Sequence, residues 1–241
     1  VTQIKYQCKK NNHFGIYEYI QVNLAYSSSR MASNRLTREQ VEDIYRTNKL
    51  SVSFEPTKVD DIIEIMNHFI CTREMVDTIM EPLTPSLIRR YHYYLTYGTY
   101  ADRKHKVDIG EYRKNPNKLG VAVKYIDSKL NELVRTYEEK TVDLDAILDF
   151  HVRFEKIHPF EDGNGRIGRL IMLKECLRYN ITPFIIDDKR RSQYMRGILS
   201  WDDGPKVLRE LAQGAQARLR GKWDLFRLME YCRPLTGRGA R

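Results

Sequence analysis

Long apolar runs are missing from this chain, and so is the short apolar core that a cleavable leader needs. Their absence leaves no candidate membrane span and makes a cytoplasmic protein the expectation. Cysteine is scarce: Cys8, Cys71, Cys176 and Cys232 lie far apart and form no CxxC or Cys/His cluster. That spacing argues against structural zinc and for reduced thiols. No internal repeat, low-complexity tract or linker composition divides the 241 residues, so 1–241 is expected to be a single domain with a real core. There is neither a GxxxxGK[ST] loop nor a dinucleotide fingerprint, and no Cys/His finger or RNA-recognition signature. Acidic residues are outnumbered, giving a net charge of +9 and a pI near 9.3. That balance suits polyanionic partners such as ATP, acidic proteins or nucleic acid, although a solvated Lys/Arg surface accounts for it equally well. Nucleic acid has charge alone in its favour.

What is present is concentrated in His158-Pro159-Phe160-Glu161-Asp162-Gly163-Asn164-Gly165-Arg166-Ile167-Gly168-Arg169. This mixture is poor core material. Upstream, Leu144, Ile147, Leu148, Phe154 and Ile157 recur at helical spacing behind Asp143 as an N-cap, and Pro159 helps end that helix. Downstream, Ile167, Leu170, Ile171, Leu173, Cys176 and Leu177 form a second helical face. A tight Gly163-Asn164-Gly165 turn between them puts free backbone N–H groups and the positive helix end over one spot, an anion site. Arg166 and Arg169, three residues apart, can both reach a polyphosphate. Asp162 is ill-suited to phosphate but suits Mg²⁺, which takes one or two carboxylates and fills its shell with phosphate oxygens and water. His158, neutral near pH 7, suits a general base acting on an attacking hydroxyl. A lone histidine at a helix end is most often a cap, and a lone GxG most often a turn. Their fixed order with the carboxylate and arginines is hard to explain by structure alone.

The stretch resembles the signature of the Fic (AMP-transferring) family, H-x-F-x-[DE]-G-N-G-R-x-x-R, at every specified position from His158 to Arg169. The resemblance implies an all-helical fold and transfer of AMP from ATP to a hydroxyl of Ser, Thr or Tyr on a target protein or on the chain itself. By the same resemblance His158 is the base, Phe160 anchors the loop and Asp162 holds Mg²⁺. Gly163, Asn164, Gly165 and Arg166 hold the phosphates, Arg169 the γ-phosphate, and Tyr194 falls where the family places a residue beside the base.

Two further segments are similar to family features. Many members carry an inhibitory helix of pattern [ST]-x-x-x-E-[GN] shortly before a Leu-Thr; within 27–36 Ser28 matches its first position and Leu36-Thr37 follows, but Ala32 stands at the glutamate. In the family that glutamate pairs with the second arginine of the motif, so Ala32 implies a de-repressed enzyme; otherwise the segment is a polar loop before a capped helix. Between 107 and 118, short alternation with Gly and Pro suggests a small hairpin, and its Gly-x-Tyr-Arg is similar to the family's flap. Ile109, Gly110, Tyr112 and Arg113 would then hold the target by strand addition; the competing reading is a basic surface loop.

The fold expected is all-α with that β-hairpin over the active site. Helices are expected from Thr37 with Gln40 as a capping box to about Leu50, over 57–81 capped by Thr57, from Thr84-Pro85 to Gly98, over 120–139, over 192–200, and from Asp203 toward Leu219. Residues 1–26 read as irregular with a short strand, 234–241 as a mobile tail, and His68 and His92 as structural. The alternatives are a Fic-like enzyme with another nucleotide donor and a non-catalytic nucleotide-binding regulator, against which the intact His158 and Asp162 argue. The basic, aromatic surface fits an acidic partner or a second copy of the chain.

Overall fold

Side chains that satisfy helix ends locally account for several boundaries. Thr37 and Gln40 form a reciprocal capping box at the start of one helix, with both bonds present. Thr84 accepts from Leu87 N with Pro85 at the first helical position, and Asp143 accepts from Ala146 N. The structure, a computed structural model, describes residues 1–10, 15–50 and 56–231.

Its helices are α1 (Thr2–Lys9), α2 (Ile16–Met31), α3 (Arg38–Thr47), α4 (Val59–Asp77), α5 (Pro85–Thr96), α6 (Tyr100–Arg103), α7 (Ile126–Glu138), α8 (Leu144–Ile157), α9 (Asn164–Arg178), α10 (Arg191–Leu199) and α11 (Lys206–Tyr231). Short 3₁₀ turns at Val123–Tyr125 and Asp188–Arg190 precede α7 and α10. Helix α9 is the central element, packed by α2, α4, α5 and α8 and buried at nearly every position from Asn164 to Leu177. A helix covered on all sides shows no apolar stripe. It nonetheless carries Arg166, Arg169, Lys174 and Glu175 inside. Lys174 is accounted for by Ile79 O, Glu81 O and the Glu175 carboxylate. The two arginines face the site described below.

The main core gathers Phe150, Phe154, Phe160, Ile167, Leu170, Leu173 and Tyr91; a smaller one joins Val22, Ala25, Leu36, Val41, Ile44 and Ile65 from α2, α3 and α4. The N-terminal region departs from expectation, since residues 1–26 hold α1 and the start of α2 rather than an irregular strand-like segment. Helix α2 is buried around most of its circumference, from Ile16 and Tyr17 to Ser27, Ser28 and Ser29, so no helical period survives in its sequence. Thr57 is not a cap: Lys58 stands at the N-cap of α4 without a side-chain bond. Helix α3 ends at Thr47, where Asn48 turns left-handed, and α11 starts at Lys206 and runs beyond Leu219. The tail at 234–241 and Cys232 lie outside the described residues.

Among the described residues there is no strand, so the hairpin is not seen; 104–122 is built of turns and bends. Backbone N–H groups that a hairpin would pair across its own strands go elsewhere. Arg113 N donates to Pro159 O and Val121 N to Ile157 O, tying the segment to the end of α8. No described helix is long and apolar enough to cross a membrane.

Candidate active site

Two left-handed residues shape the motif loop. His158, the C-cap of α8, has φ 49° and ψ 62°, and Gly163, the N-cap of α9, has φ 83°. The glycine takes that conformation freely; a histidine does so at a cost that surrounding contacts must cover. They do. Arg113 Nε donates to His158 O, and the remaining guanidinium nitrogens reach Asn115 O and Val121 O. Only 2% of Arg113 is exposed. Phe160 is fully buried, stacked on the His92 ring at 3.9 Å with planes 3° apart, against Phe154 and Tyr112. Asn164 closes the loop by accepting from Phe160 N and donating to Phe160 O.

His92 links the loop to the segment over it. Its Nδ1 accepts from Gly110 N at 2.9 Å, which leaves the Nε2 proton to donate to Asp162 O at 3.1 Å. Burial pushes this imidazole down to about 4, so it stays neutral as that bonding requires.

The catalytic candidates converge on a cavity of about 250 Å³ lined by His158, Asp162, Gly163 to Arg166, Arg169 and, on its far side, Ala32, Glu155 and Tyr194. His158 is half-buried; desolvation first, and the Arg113 charge second, hold its pKa below the ordinary histidine value. Burial alone raises Asp162, but Arg166 and the Gly163 N–H outweigh it and leave the carboxylate low and ionised. Arg166 NH2 donates to Asp162 Oδ2 at 2.7 Å and NH1 lies 3.2 Å from Glu64 Oε1, while Nε is buried without a partner. Arg169 Nε donates to Ser28 Oγ at 2.9 Å and NH2 to Ser28 O at 3.1 Å. NH1 reaches Tyr194 OH at 3.4 Å, and that hydroxyl lies 2.5 Å from His151 Nε2. Behind Arg169, Glu155 Oε1 has no hydrogen-bond partner and burial raises its carboxyl.

This arrangement can bind a polyphosphate. It offers the N-terminus of a fifteen-residue helix, an orphaned guanidinium nitrogen and, inside the first helical turn, no Cβ at Gly165, where one would come within 2.9 Å of Arg169. It also fits Mg²⁺ of the kind bound mostly by nucleotide, because Asp162 projects a single ionised, solvent-reachable carboxylate. No group of three or more His, Cys, Asp or Glu among the described residues forms an all-protein metal cage.

The structure thus brings together His158, Asp162, Gly163, Asn164, Gly165, Arg166, Arg169, Tyr194, Ser28 and Ala32. Tyr194 is buried against Arg169 at the cavity wall, its hydroxyl engaged by His151. Of the segment over the loop, Gly110 and Arg113 point inward as anchors, Tyr112 packs half-buried beneath Arg89, and Ile109 is partly covered. Sequence reasoning read His92 as structural without its link to the motif loop, and missed Glu155 and Asn117. For Glu155 there was a signal, since it sits one turn before His158 on α8 and therefore on nearly the same face. A larger, more apolar groove between α7 and α8, lined by Leu133, Tyr137, Phe150 and Ile157, contains none of the motif's polar groups.

Comparisons with known proteins bear on family and fold. Residues 82–176 match the family model of the Fic/DOC family. The chain is 25% identical over 187 residues to the protein adenylyltransferase Fic of Drosophila mojavensis, covering 70% of this chain and 34% of that protein. It therefore spans about a third of the length of the curated relatives it matches. Among solved structures, residues 134–508 of Fic-1 from C. elegans superpose with a TM-score of 0.76 at 16% identity, over 95% of this chain and 72% of that one. A Fic domain containing signaling protein from Bacteroides thetaiotaomicron gives 0.69 at 21% identity, over 96% and 91%. At those identities the structures establish the shared fold.

Proposed function

Starting from a chain whose residues 82–176 carry a Fic/DOC family domain, we propose that it is a protein adenylyltransferase, transferring AMP from ATP to a hydroxyl side chain of a target protein or of itself. The observation that carries this reading is the convergence, in one cavity, of a neutral imidazole, an ionised carboxylate, a helix N-terminus and two buried guanidiniums. Binding phosphate alone would require neither His158 nor Asp162. The names of the relatives point the same way.

In the reaction the acceptor hydroxyl gives its proton to His158 as its oxygen bonds to the α-phosphorus, and the bond from that phosphorus to the bridging oxygen breaks, releasing pyrophosphate. The lowered pKa of His158 keeps the imidazole unprotonated at neutral pH, as a base must be. The backbone N–H groups at the start of α9, with Arg166 and Arg169, would stabilise charge on the phosphates. Asp162 is the residue that would hold Mg²⁺, which when bound neutralises phosphate charge. Ser28 already occupies part of Arg169, while Ala32 lends the cavity wall no carboxylate to compete for it. We therefore assign the chain a de-repressed state.

The test is incubation with Mg²⁺ and ATP labelled on the α-phosphate, beside His158→Ala, followed by intact-mass analysis of the chain and of proteins in a cell extract. AMP added by the unmodified chain, and reduced ~10²-fold or more in the variant, is the expected result. Binding of ATP with no transferred AMP to any acceptor would overturn it and direct attention to other nucleotide donors or to a binding module.

A further inference from the structure

Outside the motif, Asn117 directs its side-chain amide at the imidazole of His158. Its Oδ1 accepts from Leu119 N at 3.1 Å and Gly120 N at 2.7 Å. An amide oxygen held by two backbone donors fixes which end is which, so the NH₂ group faces the ring, 3.2 Å from Nδ1. Asn164 is fixed in the same way. Its oxygen accepts from Phe160 N and its nitrogen donates to Phe160 O, and that nitrogen lies 3.0 Å from the same Nδ1 and 3.5 Å from Nε2. The Asn117 amide therefore addresses Nδ1, while the Asn164 nitrogen, nearly as close to Nε2, sits beside the ring rather than along the lone pair of either nitrogen. A protonated Nδ1 would set its N–H against that of Asn117, whereas a lone pair there accepts it.

We infer that Asn117 is a positioning residue for the general base: it holds His158 as the neutral tautomer whose proton is on Nε2 and whose Nδ1 lone pair is engaged. The inference deepens the reading of His158 given above and rests on it for its functional meaning. Its consequence for acceptors is steric as well as electronic. A hydroxyl that is to give its proton to Nδ1 must take the place of the Asn117 amide. Asn117 belongs to the segment spanning 104–122, anchored to the motif loop through Arg113. An acceptor docking along that segment thus displaces the amide as it arrives.

The charged groups acting on this ring are Arg113 from the segment above and Asp162 from the loop, the first lowering and the second raising its pKa; the carbonyls of Phe160 and of His158 itself raise it too. The Asn117 amide acts with Arg113, because it favours the unprotonated nitrogen. Removing it must raise the pKa of His158.

Asn117→Asp isolates the contact, since aspartate keeps the oxygen that accepts from Leu119 N and Gly120 N but replaces the donor by a carboxylate. Nitrogen-15 spectra of histidine-labelled protein, with His158→Ala to assign the signal, read tautomer and titration directly and involve no nucleotide. In the unmodified chain His158 is expected as the Nε2-protonated neutral form at pH 7.5. In the aspartate variant the midpoint moves to higher pH, and the acid limb of the transfer rate against pH moves with it while the thermal midpoint stays near that of the parent. Asn117→Ala moves the titration in the same direction by less. A His158 protonated on Nδ1 in the unmodified chain, or a titration unmoved by Asn117→Asp, overturns the inference. Because the spectra do not depend on the donor, they stand even if AMP transfer is absent, and absence of transfer with the expected titration would count against the proposed function alone.

Discussion

Restoring a carboxylate at position 32 is the perturbation with the clearest energetic consequence. Ala32 caps α2 at φ −95° and ψ 17° and lines the cavity that Arg169 enters. Arg169 is 7% exposed, with Ser28 taking Nε and NH2 and only a long 3.4 Å contact engaging NH1. In Ala32→Glu the new carboxylate competes with phosphate for this guanidinium. A hydrogen bond between charged groups contributes ~1.5–3 kcal/mol, which the nucleotide must displace, so kcat/KM for ATP should fall ~10- to 150-fold. Initial rates of AMP incorporation at subsaturating ATP measure this. Ala32→Gln has nearly the same volume without the charge, and its loss should be several-fold smaller. In an Arg169→Ala background the glutamate should add little, since its partner is gone. An unchanged rate in Ala32→Glu, or equal losses with glutamate and glutamine, would refute the electrostatic reasoning.

Two further outcomes follow from the geometry. Replacing Arg113 by Ala leaves the carbonyls of His158, Asn115 and Val121 without their donor, at a cost on the order of 3 kcal/mol or more of stability; Arg113→Lys, with a point charge in place of the fork, should recover only part of it in chemical denaturation. Equal denaturation midpoints for Arg113→Ala and the parent would mean that the anchor is dispensable. The second outcome concerns acid. Burial first, and the neighbouring arginines after it, hold His68 and His151 down to about 3, and burial holds His92 at about 4, all below the unfolded value of about 6.5. The unfolded chain then binds these protons more readily. The stability they permit is complete above about pH 6.5 and is lost as pH falls toward the folded values, by up to about 1.4 kcal/mol per pH unit for each. Urea midpoints that stay flat between pH 6.5 and 4.5 would contradict their buried, neutral placement.

Local chemistry was readable without coordinates. The capping box at Thr37, the Thr84-Pro85 start, Asp143 and the twelve residues from His158 to Arg169 each act within one turn or one loop, so their order in the chain carries their meaning. Helices with one wet face, such as α5 and α7, showed their period for the same reason. Helix α2 did not, because burial on most sides erases the polar half of the pattern. Nor could the segment over the loop be judged from composition. Its Gly, Tyr and Arg read equally as a hairpin flap or as a basic surface loop, and only packing shows Arg113 turned inward with its backbone N–H on Pro159.

By itself, then, the sequence determined the helical elements with exposed faces, the turn between α8 and α9, and the inventory of groups able to hold a polyphosphate and accept a proton. Only the tertiary structure decided which residues complete the site from afar: Ser28 on Arg169 across 141 positions, His92 beneath Asp162, and Asn117 beside His158. Such partners are chosen by the way helices pack, and a contact between distant segments leaves no spacing in the chain from which it can be read.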